Sequence, residues 1–362
     1  MKILGLMSGT SMDGLDCCLA DLKIKKSKLK FHIIDSSTFP YDSDTKKIIF
    51  DGIFHKKYSY DYLNNYLGNV FSKIIDKFLR IEDLDLISSH GQTISHLDKQ
   101  YSIQISSPEI INKNFNVPVV YDFRKDDIRN GGNGAPLMPL LDWYLFQNSN
   151  VITINIGGIS NISVVMKDGS KNSIIGFDTG PGMCLIDLYV KTYWNQQYDI
   201  DGSLASKGNI DELMLNYLMK DDFVIQSYPK SASTEMYDYI YLSKIEKKFP
   251  NIKCYDFLRT LVNFTSISII DNIKRINIYP ELSNMKIIMS GGGVKNKILF
   301  SDIDRGLIDN RVVLMDYNGL NVDNKESFLM CLLGYTKYFN IPNNVPSVTG
   351  ANKNIICGEI YE

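Results

Sequence analysis

Several patterns that mark common classes of protein are missing from this chain of 362 residues. It contains no C-x-x-C, G-x-S-x-G or G-x-G-x-x-G pattern, so a cysteine metal cluster, a nucleophilic hydrolase and a dinucleotide site find no support. No apolar run approaches the ~18 residues that a membrane-spanning helix requires. Polar residues also interrupt the first apolar segment too early for a secretory signal peptide. We therefore expect a cytoplasmic protein without a membrane partner.

An excess of charge of either sign is missing as well. The chain has 39 basic and 41 acidic residues, a net charge of −2, which argues against nucleic acid as a partner. Its six cysteines lie mostly inside apolar runs, which indicates buried small side chains in a reducing compartment. The length and a hydrophobic content of 44% are sufficient for two domains, each with its own core.

The first sixteen residues, MKILGLMSGTSMDGLD, contain the most informative turn in the sequence. A short apolar run, Ile3–Met7, precedes a polar segment with two glycines, and a second apolar run begins at Leu15. This pattern predicts a strand, a tight turn and a second strand. The backbone N–H groups of such a turn form an anion-binding nest, and Asp13 and Asp16 are suited to hold Mg²⁺ on a bound phosphate. The alternative is an ordinary hairpin turn, because glycine, serine and aspartate are common turn residues.

The same pattern returns in the second half of the chain. Val151–Ile156 predicts a strand, Gly157 and Gly158 form a turn, and further strands are predicted at 162–166 and 174–177. Two copies about 150 residues apart predict two similar domains, residues 1–148 and residues 149–362. Phosphate-binding turns on two such domains would hold one polyphosphate from both sides.

Two segments of the second copy carry candidate functional groups. Asp178 comes at the end of the third predicted strand, before a glycine turn that opens a helix, which is a typical position for a catalytic carboxylate. The alternative is a helix-capping or turn aspartate. The run Gly291–Gly293 follows another predicted strand, and three residues without side chains allow a flat adenine or ribose to lie against the backbone.

Nine strings, in order from one end of the chain to the other, resemble those of the anhydro-N-acetylmuramic acid kinases, a family of the actin-like ATPases and sugar kinases. They are GLMSGTSMDGLD (5–16), SHGQTISH (89–96), VVYDFRKDDI (119–128), GGNGAPL (131–137), NIGGISNIS (155–163), GFDTGPG (176–182), DGSLASKGN (201–209), SGGGVKN (290–296) and PSVTGA (346–351). The resemblance implies an α/β fold of two actin-like, ribonuclease H-like domains, with nucleotide and sugar bound in a cleft between them. It also implies a homodimer.

The reaction that the resemblance implies depends on ATP and Mg²⁺. Water opens the 1,6-anhydro ring of a cell-wall sugar at its anomeric carbon, and the freed 6-oxygen takes the γ-phosphoryl group. The product is N-acetylmuramic acid 6-phosphate, an intermediate of cell-wall recycling. Asp178 matches the family's base, and Asp13 is the candidate Mg²⁺ ligand. The candidate nucleotide-binding residues are Gly9, Thr10, Ser11, Met12, Asp13, Gly14, Leu15, Asp16, Gly157, Gly158, Gly291, Gly292 and Gly293.

Four polar residues that follow predicted strands of the first domain are candidates for the sugar pocket. They are His90, Gln92, Asp122 and Arg124. Arg124 is suited to bind the lactyl carboxylate of muramic acid as a bidentate fork. For His90 and Gln92 the alternative is a structural hydrogen-bond network.

Three positions depart from the family pattern. Met183 stands where an asparagine is usual, and Asp142 stands where a histidine is usual. The usual Lys-Ser-Thr-Gly-Arg-Glu string reads KSASTE at 230–235, without the glycine and the arginine. These departures leave open a second hypothesis, a sugar-binding sensor that keeps the fold but has lost turnover. A third hypothesis, an actin-like or chaperone-like ATPase that polymerises or binds peptide, would need an extension or insertion that the sequence does not show.

Overall fold

A computed structural model of the chain describes residues 1–9, 12–79, 84–276 and 285–362. These residues divide into two units. The first unit comprises Met1–Gln147, Gly169–Ile174 and Asp316–Glu362, and the second unit comprises Asn148–Asp168 and Ile175–Met315. Among the described residues, no helix is both long and apolar enough to cross a membrane.

The division differs from the predicted domains at the end of the chain. The sequence places residues 316–362 in the second domain, whereas the structure places them in the first unit. The reason is pairing over a long sequence distance, because strand Glu359–Tyr361 forms antiparallel bridges with Val119–Tyr121. The short segment Gly169–Ile174 also belongs to the first unit, where the carbonyl of Gly169 accepts a hydrogen bond from Trp143 Nε1 at 3.0 Å.

The described part of the first unit is built on a sheet of seven strands. They are β1 (Lys2–Ser8), β2 (Gly14–Lys25), β3 (Lys28–Pro40), β4 (Leu86–Leu97), β5 (Tyr101–Ile105), β6 (Val119–Tyr121) and β14 (Glu359–Tyr361). Their order is β14-β6-β4-β1-β2-β3, with β5 paired to β4. β1 is antiparallel to β2 and parallel to β4. The apolar residues of β1 lie in the core, where Ile3, Leu4 and Leu6 are fully buried.

The second unit contains a sheet with the same order. Its strands are β7 (Val151–Ile156), β8 (Ile159–Val165), β9 (Ile175–Pro181), β10 (Lys286–Ser290) and β11 (Arg311–Leu314), in the order β11-β10-β7-β8-β9. β7 is antiparallel to β8 and parallel to β10, as β1 is to β2 and β4. The predicted repeat of strand, turn, strand and strand is therefore present in both units. The predicted fold class, α/β with two similarly built domains, is confirmed.

A separate pair of short strands follows in the chain and belongs to the first unit. The strands are β12 (Asp316–Tyr317) and β13 (Leu320–Asn321), which are antiparallel. Leu320 is fully buried, so this small hairpin is anchored by one apolar side chain.

Helices pack against these sheets and set the positions of the turns. The described helices are α1 (Ser43–Phe54), α2 (Tyr60–Phe78), α3 (Pro108–Phe115), α4 (Lys125–Arg129), α5 (Met138–Phe146), α6 (Cys184–Trp194), α7 (Glu212–Leu218), α8 (Asp222–Ile225), α9 (Tyr239–Lys248), α10 (Cys254–Lys274), α11 (Lys297–Gly306), α12 (Lys325–Tyr338) and α13 (Pro346–Thr349). α12 lies directly on β1, and a side chain on Gly5 would collide with the carbonyl of Ser327. This close approach requires glycine at position 5.

Two of the polar matched strings lie largely inside regular structure. The polar segment 88–93 is part of β4 rather than the end of a shorter strand, because its side chains find buried partners such as the carbonyl of Met330, which accepts from Ser88 Oγ at 2.6 Å. In the string PSVTGA, residues Pro346–Thr349 form the short helix α13, and Val348 and Thr349 are buried.

Candidate active site

The first predicted phosphate turn connects β1 to β2. Thr10 and Ser11 lie outside the described residues, and the neighbours Gly9, Met12, Asp13 and Gly14 are described. Met12 adopts the left-handed conformation with φ 54°, and its amide donates to the carbonyl of Gly9 at 3.2 Å. A side chain on Gly14 would come within 2.6 Å of the carbonyl of Phe39. Glycine is therefore required at position 14 by the close approach of β3.

Gln92 lies beneath this turn and supports it. Its Oε1 accepts from Ser8 Oγ at 2.7 Å, and its Nε2 donates to the carbonyls of Gly9 at 3.1 Å and Thr93 at 3.2 Å. Ser8 Oγ also shares a 2.8 Å hydrogen bond with the hydroxyl of Tyr41. Gln92 is fully buried. These contacts match the structural alternative for Gln92, and its contact with a sugar stays a prediction.

Asp16 lies at the start of β2 as a partly buried carboxyl group. Burial raises its pKa to about 6, although a hydrogen bond from Thr38 Oγ1 acts in the opposite direction. The charges of Glu326, Asp13 and Asp323 raise it further. Leu15, the remaining predicted residue of the turn, is fully buried in the core, so its side chain has a packing role.

His90 and Arg124 form a second cluster in the first unit. His90 Nδ1 lies 3.0 Å from the carbonyl of Gly91, and because a carbonyl only accepts, Nδ1 carries the hydrogen. The other ring nitrogen then accepts from Arg124 Nε at 3.1 Å and from Nη2 at 3.0 Å. Burial, assisted by the charge of Arg124, lowers the pKa of His90 to about 3. The imidazole is therefore neutral and orients the guanidinium without cancelling its charge.

Arg124 is held from a second side as well. Its Nη1 donates to the carbonyl of Gly134 at 2.8 Å, in the predicted string GGNGAPL. Asp122, two residues earlier, adopts φ 57° and lies 3.4 Å from Lys125 Nζ. Burial raises the pKa of Asp122. The structure thus brings two of the four candidate sugar-binding residues, His90 and Arg124, into contact. Their contact with a sugar stays a prediction.

The second predicted turn, Gly157–Gly158, connects β7 to β8 and is tied to the start of α6. The carbonyl of Gly157 accepts from the amide of Met183 at 2.8 Å, and that of Gly158 accepts from Gly182 at 2.8 Å and Cys184 at 3.2 Å. A side chain on Gly182 would collide with the carbonyl of Gly157. The backbone of Met183 makes this contact, so the substitution at position 183 leaves it intact.

The third predicted turn follows β10 and lies beside the second. In the parallel pairing of β7 and β10, Ser290 is opposite Asn155, so Gly157–Gly158 and Gly291–Gly293 extend from the same edge of one sheet. Gly291 has φ 86°, and a side chain there would come within 2.5 Å of the carbonyl of Ile156. A side chain on Gly292 would meet no atom within 4 Å. Gly292 therefore presents bare backbone to open space.

Asp178 is part of β9, opposite Asn161, and not at the end of the strand as predicted. Its side chain is 7% exposed. Oδ2 accepts from the amide of Ala232 at 2.8 Å and from Ser231 Oγ at 3.2 Å, and the backbone amide of Asp178 donates to the carbonyl of Lys230 at 3.1 Å. Hydrogen bonds to a carboxylate favour its charged form. These hydrogen bonds fix the orientation of a buried carboxylate.

Residues 230–232 received no functional role from sequence reasoning, although the string KSASTE stood out as a departure. In the structure these residues hydrogen-bond to Asp178, and the amide of Ala232 makes the shorter of the two hydrogen bonds to the carboxylate. A backbone amide carries no residue-specific signal, which explains why the contact could not be predicted. The same amide is present whichever side chain occupies position 232.

Asp127 is a second residue that sequence reasoning missed. It is 2% exposed and accepts from the amide of Gly134 at 2.9 Å, Asn344 Nδ2 at 2.9 Å and Thr349 Oγ1 at 2.8 Å. It joins the string GGNGAPL to the string PSVTGA and so fixes the loop whose carbonyl holds Arg124. The role of Asp127 could not be predicted, because the sequence does not show that the strings GGNGAPL and PSVTGA lie close together in the fold.

The two units share a sheet order, and they carry glycine turns at strand ends and one buried, hydrogen-bonded carboxylate. The family model described as anhydro-N-acetylmuramic acid kinase matches residues 1–362. The chain belongs to the anhydro-N-acetylmuramic acid kinase family.

Named relatives cover nearly the whole chain. It is 35% identical to the anhydro-N-acetylmuramic acid kinase of Clostridioides difficile strain 630, over 99% of this chain and 98% of that protein. It is also 35% identical to that of Caldanaerobacter subterraneus, over 99% and 96%. The corresponding protein of Bacillus thuringiensis subsp. konkukian is 32% identical over 99% of each chain.

Solved structures with detectable likeness are more distant. Component A of the (R)-2-hydroxyglutaryl-CoA dehydratase of Acidaminococcus fermentans has a TM-score of 0.47 at 12% identity, over 93% of this chain and 98% of that chain. A ROK family glucokinase of Streptomyces griseus, in complex with glucose and AMPPNP, has a TM-score of 0.43 at 10% identity, over 93% and 100%.

Proposed function

We propose that this kinase uses ATP and water to convert 1,6-anhydro-N-acetylmuramic acid into N-acetylmuramic acid 6-phosphate and ADP, a step of cell-wall recycling. The oxygen of water forms a bond to the anomeric carbon, and the bond from that carbon to O6 breaks. O6 takes the γ-phosphoryl group, and ADP leaves. The proton released by water passes to a carboxylate.

Asp178 is the base in this proposal, and its geometry is the observation that carries it. Attack at an anomeric carbon passes through an oxocarbenium-like state, which needs a carboxylate held in a fixed direction. Ser231 Oγ and the amide of Ala232 fix Oδ2 of Asp178. Both donors favour the charged carboxylate, which is the form that accepts a proton.

Arg124 is the sugar-recognition residue that the geometry supports best. Muramic acid carries a lactyl carboxylate, which a guanidinium binds with two parallel hydrogen bonds. His90 and Gly134 fix the plane of the Arg124 guanidinium, and the neutral imidazole preserves its positive charge. His90 is therefore a positioning residue for Arg124, and Asp122 remains a candidate for hydroxyl groups of the sugar.

The glycine turns supply the nucleotide contacts. We assign the first turn, Gly9–Asp16, and the second, Gly157–Gly158, to the phosphates, and the open backbone at Gly292 to the adenosine. Among the described residues, no group of three or more His, Cys, Asp or Glu side chains is placed to hold a metal ion. Mg²⁺ in kinases is commonly held by one or two carboxylates together with the phosphates, and the exposed Asp13 fits that arrangement.

A sensor without turnover is the competing proposal, and the departures at 183 and 232–234 motivate it. The structure weakens this motive, because Met183 and Ala232 make their contacts through backbone amides. The absence of the arginine from the string KSASTE still supports the sensor proposal.

We also infer a homodimer, as the family resemblance implies, and sedimentation would test it.

The deciding experiment measures ADP release with and without 1,6-anhydro-N-acetylmuramic acid, in water enriched in ¹⁸O. We expect sugar-dependent release of ADP, one phosphomonoester signal per ADP by ³¹P NMR, and ¹⁸O at the anomeric carbon of the first-formed product. Sugar binding without ADP release would favour the sensor. ADP release that does not depend on the sugar would contradict both.

A further inference from the structure

Lys230 is a buried lysine outside the predicted site. It is 6% exposed, and its Nζ donates to the backbone carbonyls of Phe223 at 2.8 Å and Val224 at 3.1 Å. Nζ also lies 4.8 Å from the ring centroid of Phe223. Burial of an ammonium is unfavourable unless dipoles and rings replace its water. Carbonyls and an aromatic face provide that replacement here.

The backbone of Lys230 leads directly to Asp178. The carbonyl of Lys230 accepts from the amide of Asp178 at 3.1 Å, and the next two residues donate to the Asp178 carboxylate. The carbonyl of Val224, which Lys230 binds, also accepts from Asn272 Nδ2 at 3.3 Å. Residues 230–232 are therefore anchored at their first side chain to a segment that α10 also holds.

We propose that Lys230 is a positioning residue for Asp178, whose ammonium fixes residues 230–232 so that Ser231 and Ala232 stay on the carboxylate. This inference rests on the proposed role of Asp178 as the base. It assigns a function to the first residue of the string KSASTE, which retains its lysine and serine although it has lost the arginine.

The charge of Lys230 has a second effect on Asp178. The charged groups that face Lys230 are Asp178 on β9, Asp221 before α8, and Arg275 after α10. Burial, followed by the charge of Arg275, lowers the pKa of Lys230 to about 8, while the two carboxylates act in the opposite direction. Above this pH the ammonium loses its charge. The grip on the two carbonyls then weakens, and Asp178 loses a neighbouring cation.

The test compares Lys230→Met with a matched control, Lys171→Met. Lys171 is a partly buried lysine of the first unit, whose Nζ donates to the carbonyl of Pro342 at 2.9 Å, and burial lowers its pKa to about 8 as well. We expect Lys230→Met to lower kcat at least tenfold at pH 7 with KM for ATP within twofold. We also expect the wild-type rate to fall above pH 8 and the variant to lack this decline. Lys171→Met should retain both the rate and the decline.

Two results would overturn the inference. One is an unchanged kcat in Lys230→Met, and the other is a lowered kcat with the alkaline decline still present, which indicates a purely structural role. If Lys230→Met does not fold, Lys230→Gln replaces it, because an amide still donates to the carbonyls but carries no charge, and the same two results apply.

A readout without turnover separates this inference from the proposed function. The carboxyl ¹³C signal of Asp178, assigned with Asp178→Asn, should titrate at higher pH in Lys230→Met than in the wild type, because loss of a nearby cation favours protonation. An unchanged midpoint would contradict the role of Lys230. Absence of sugar-dependent ADP release in the wild type would contradict the proposed function alone.

Discussion

At the scale of single residues, the surroundings of His90 and Asp178 set the charge that each side chain carries. His90 is neutral because burial and the adjacent guanidinium both disfavour its protonation. Asp178 is held by hydrogen-bond donors, which favour its charged form. The first unit therefore fixes the guanidinium of Arg124, and the second unit fixes the carboxylate of Asp178. These are the groups to which the proposed function assigns sugar binding and water activation.

His90 gives a prediction for the pH dependence of stability. An unfolded histidine binds a proton below a pKa of about 6.5, whereas folded His90 stays neutral until about pH 3. Since the unfolded state binds more protons in this window, the stabilising contribution is complete above pH 6.5 and is lost as pH falls. Between pH 7 and pH 5 we expect the wild type to lose about 2 kcal/mol of unfolding free energy through this group.

The measurement is urea unfolding at pH 7, 6 and 5 for the wild type and His90→Gln. The free-energy difference between the two proteins should shrink as pH falls, because glutamine does not titrate. A difference that stays constant over this range would show that the pKa of His90 in the folded state is close to its unfolded value.

Gly292 and Gly291 form a matched pair of neighbouring glycines. Gly292→Ala should leave the unfolding free energy within about 0.5 kcal/mol, because a side chain there meets no atom within 4 Å. It should nevertheless weaken ADP binding at least tenfold, since the methyl group would occupy the space assigned to adenosine. Gly291→Ala should instead destabilise the fold by about 1–3 kcal/mol, owing to its φ of 86°. Calorimetric titration with ADP measures the affinity. An unaltered affinity in Gly292→Ala would contradict the assignment of adenosine to the backbone at Gly292.

At the scale of elements, a buried ion pair joins α5 to α12. Asp142 and Lys325 have side chains 0% and 2% exposed, and Asp142 Oδ1 lies 2.7 Å from Lys325 Nζ. α5 is otherwise apolar, with the sequence MPLLDWYLF. Asp142 is thus matched by a cation at the first residue of α12.

Replacing one partner of this ion pair should destabilise the fold far more than replacing both partners. Asp142→Leu leaves a buried ammonium without its partner, and we expect a loss of about 3–5 kcal/mol of unfolding free energy. The double variant Asp142→Leu/Lys325→Met buries no charge and should recover most of that loss. Urea unfolding of the wild type, both single variants and the double variant measures the coupling. Additive losses would show that the two residues do not interact.

The elements also show how far a sequence can be interpreted. β1, the first turn and β2 were predictable, because apolar alternation and turn chemistry are local properties. The placement of 88–93 inside β4 was not, since Ser88 is satisfied by Met330, 242 residues away. The grip on Asp178 was missed for a related reason, because its donors are a backbone amide and a hydroxyl more than 50 residues further along the chain.

At the scale of the whole molecule, the chain is two α/β units with the same sheet order. The order of the first four strands, third-second-first-fourth, is identical in both, although only short strings of sequence repeat. The return of residues 316–362 to the first unit was not predictable, because it depends on the pairing of Glu359 with Tyr121. The proposed function assigns sugar recognition to Arg124 of the first unit and the role of base to Asp178 of the second.

The most direct test of this account is the rate of sugar phosphorylation by Asp178→Asn, measured in a single turnover with saturating ATP. Asparagine keeps the shape of the side chain but cannot accept the proton from water. We expect the rate to fall by about 10²–10⁴-fold, with the affinity for ATP and the unfolding free energy close to those of the wild type. Phosphorylation at the wild-type rate would contradict the assignment of Asp178 as the base and the mechanism built on it.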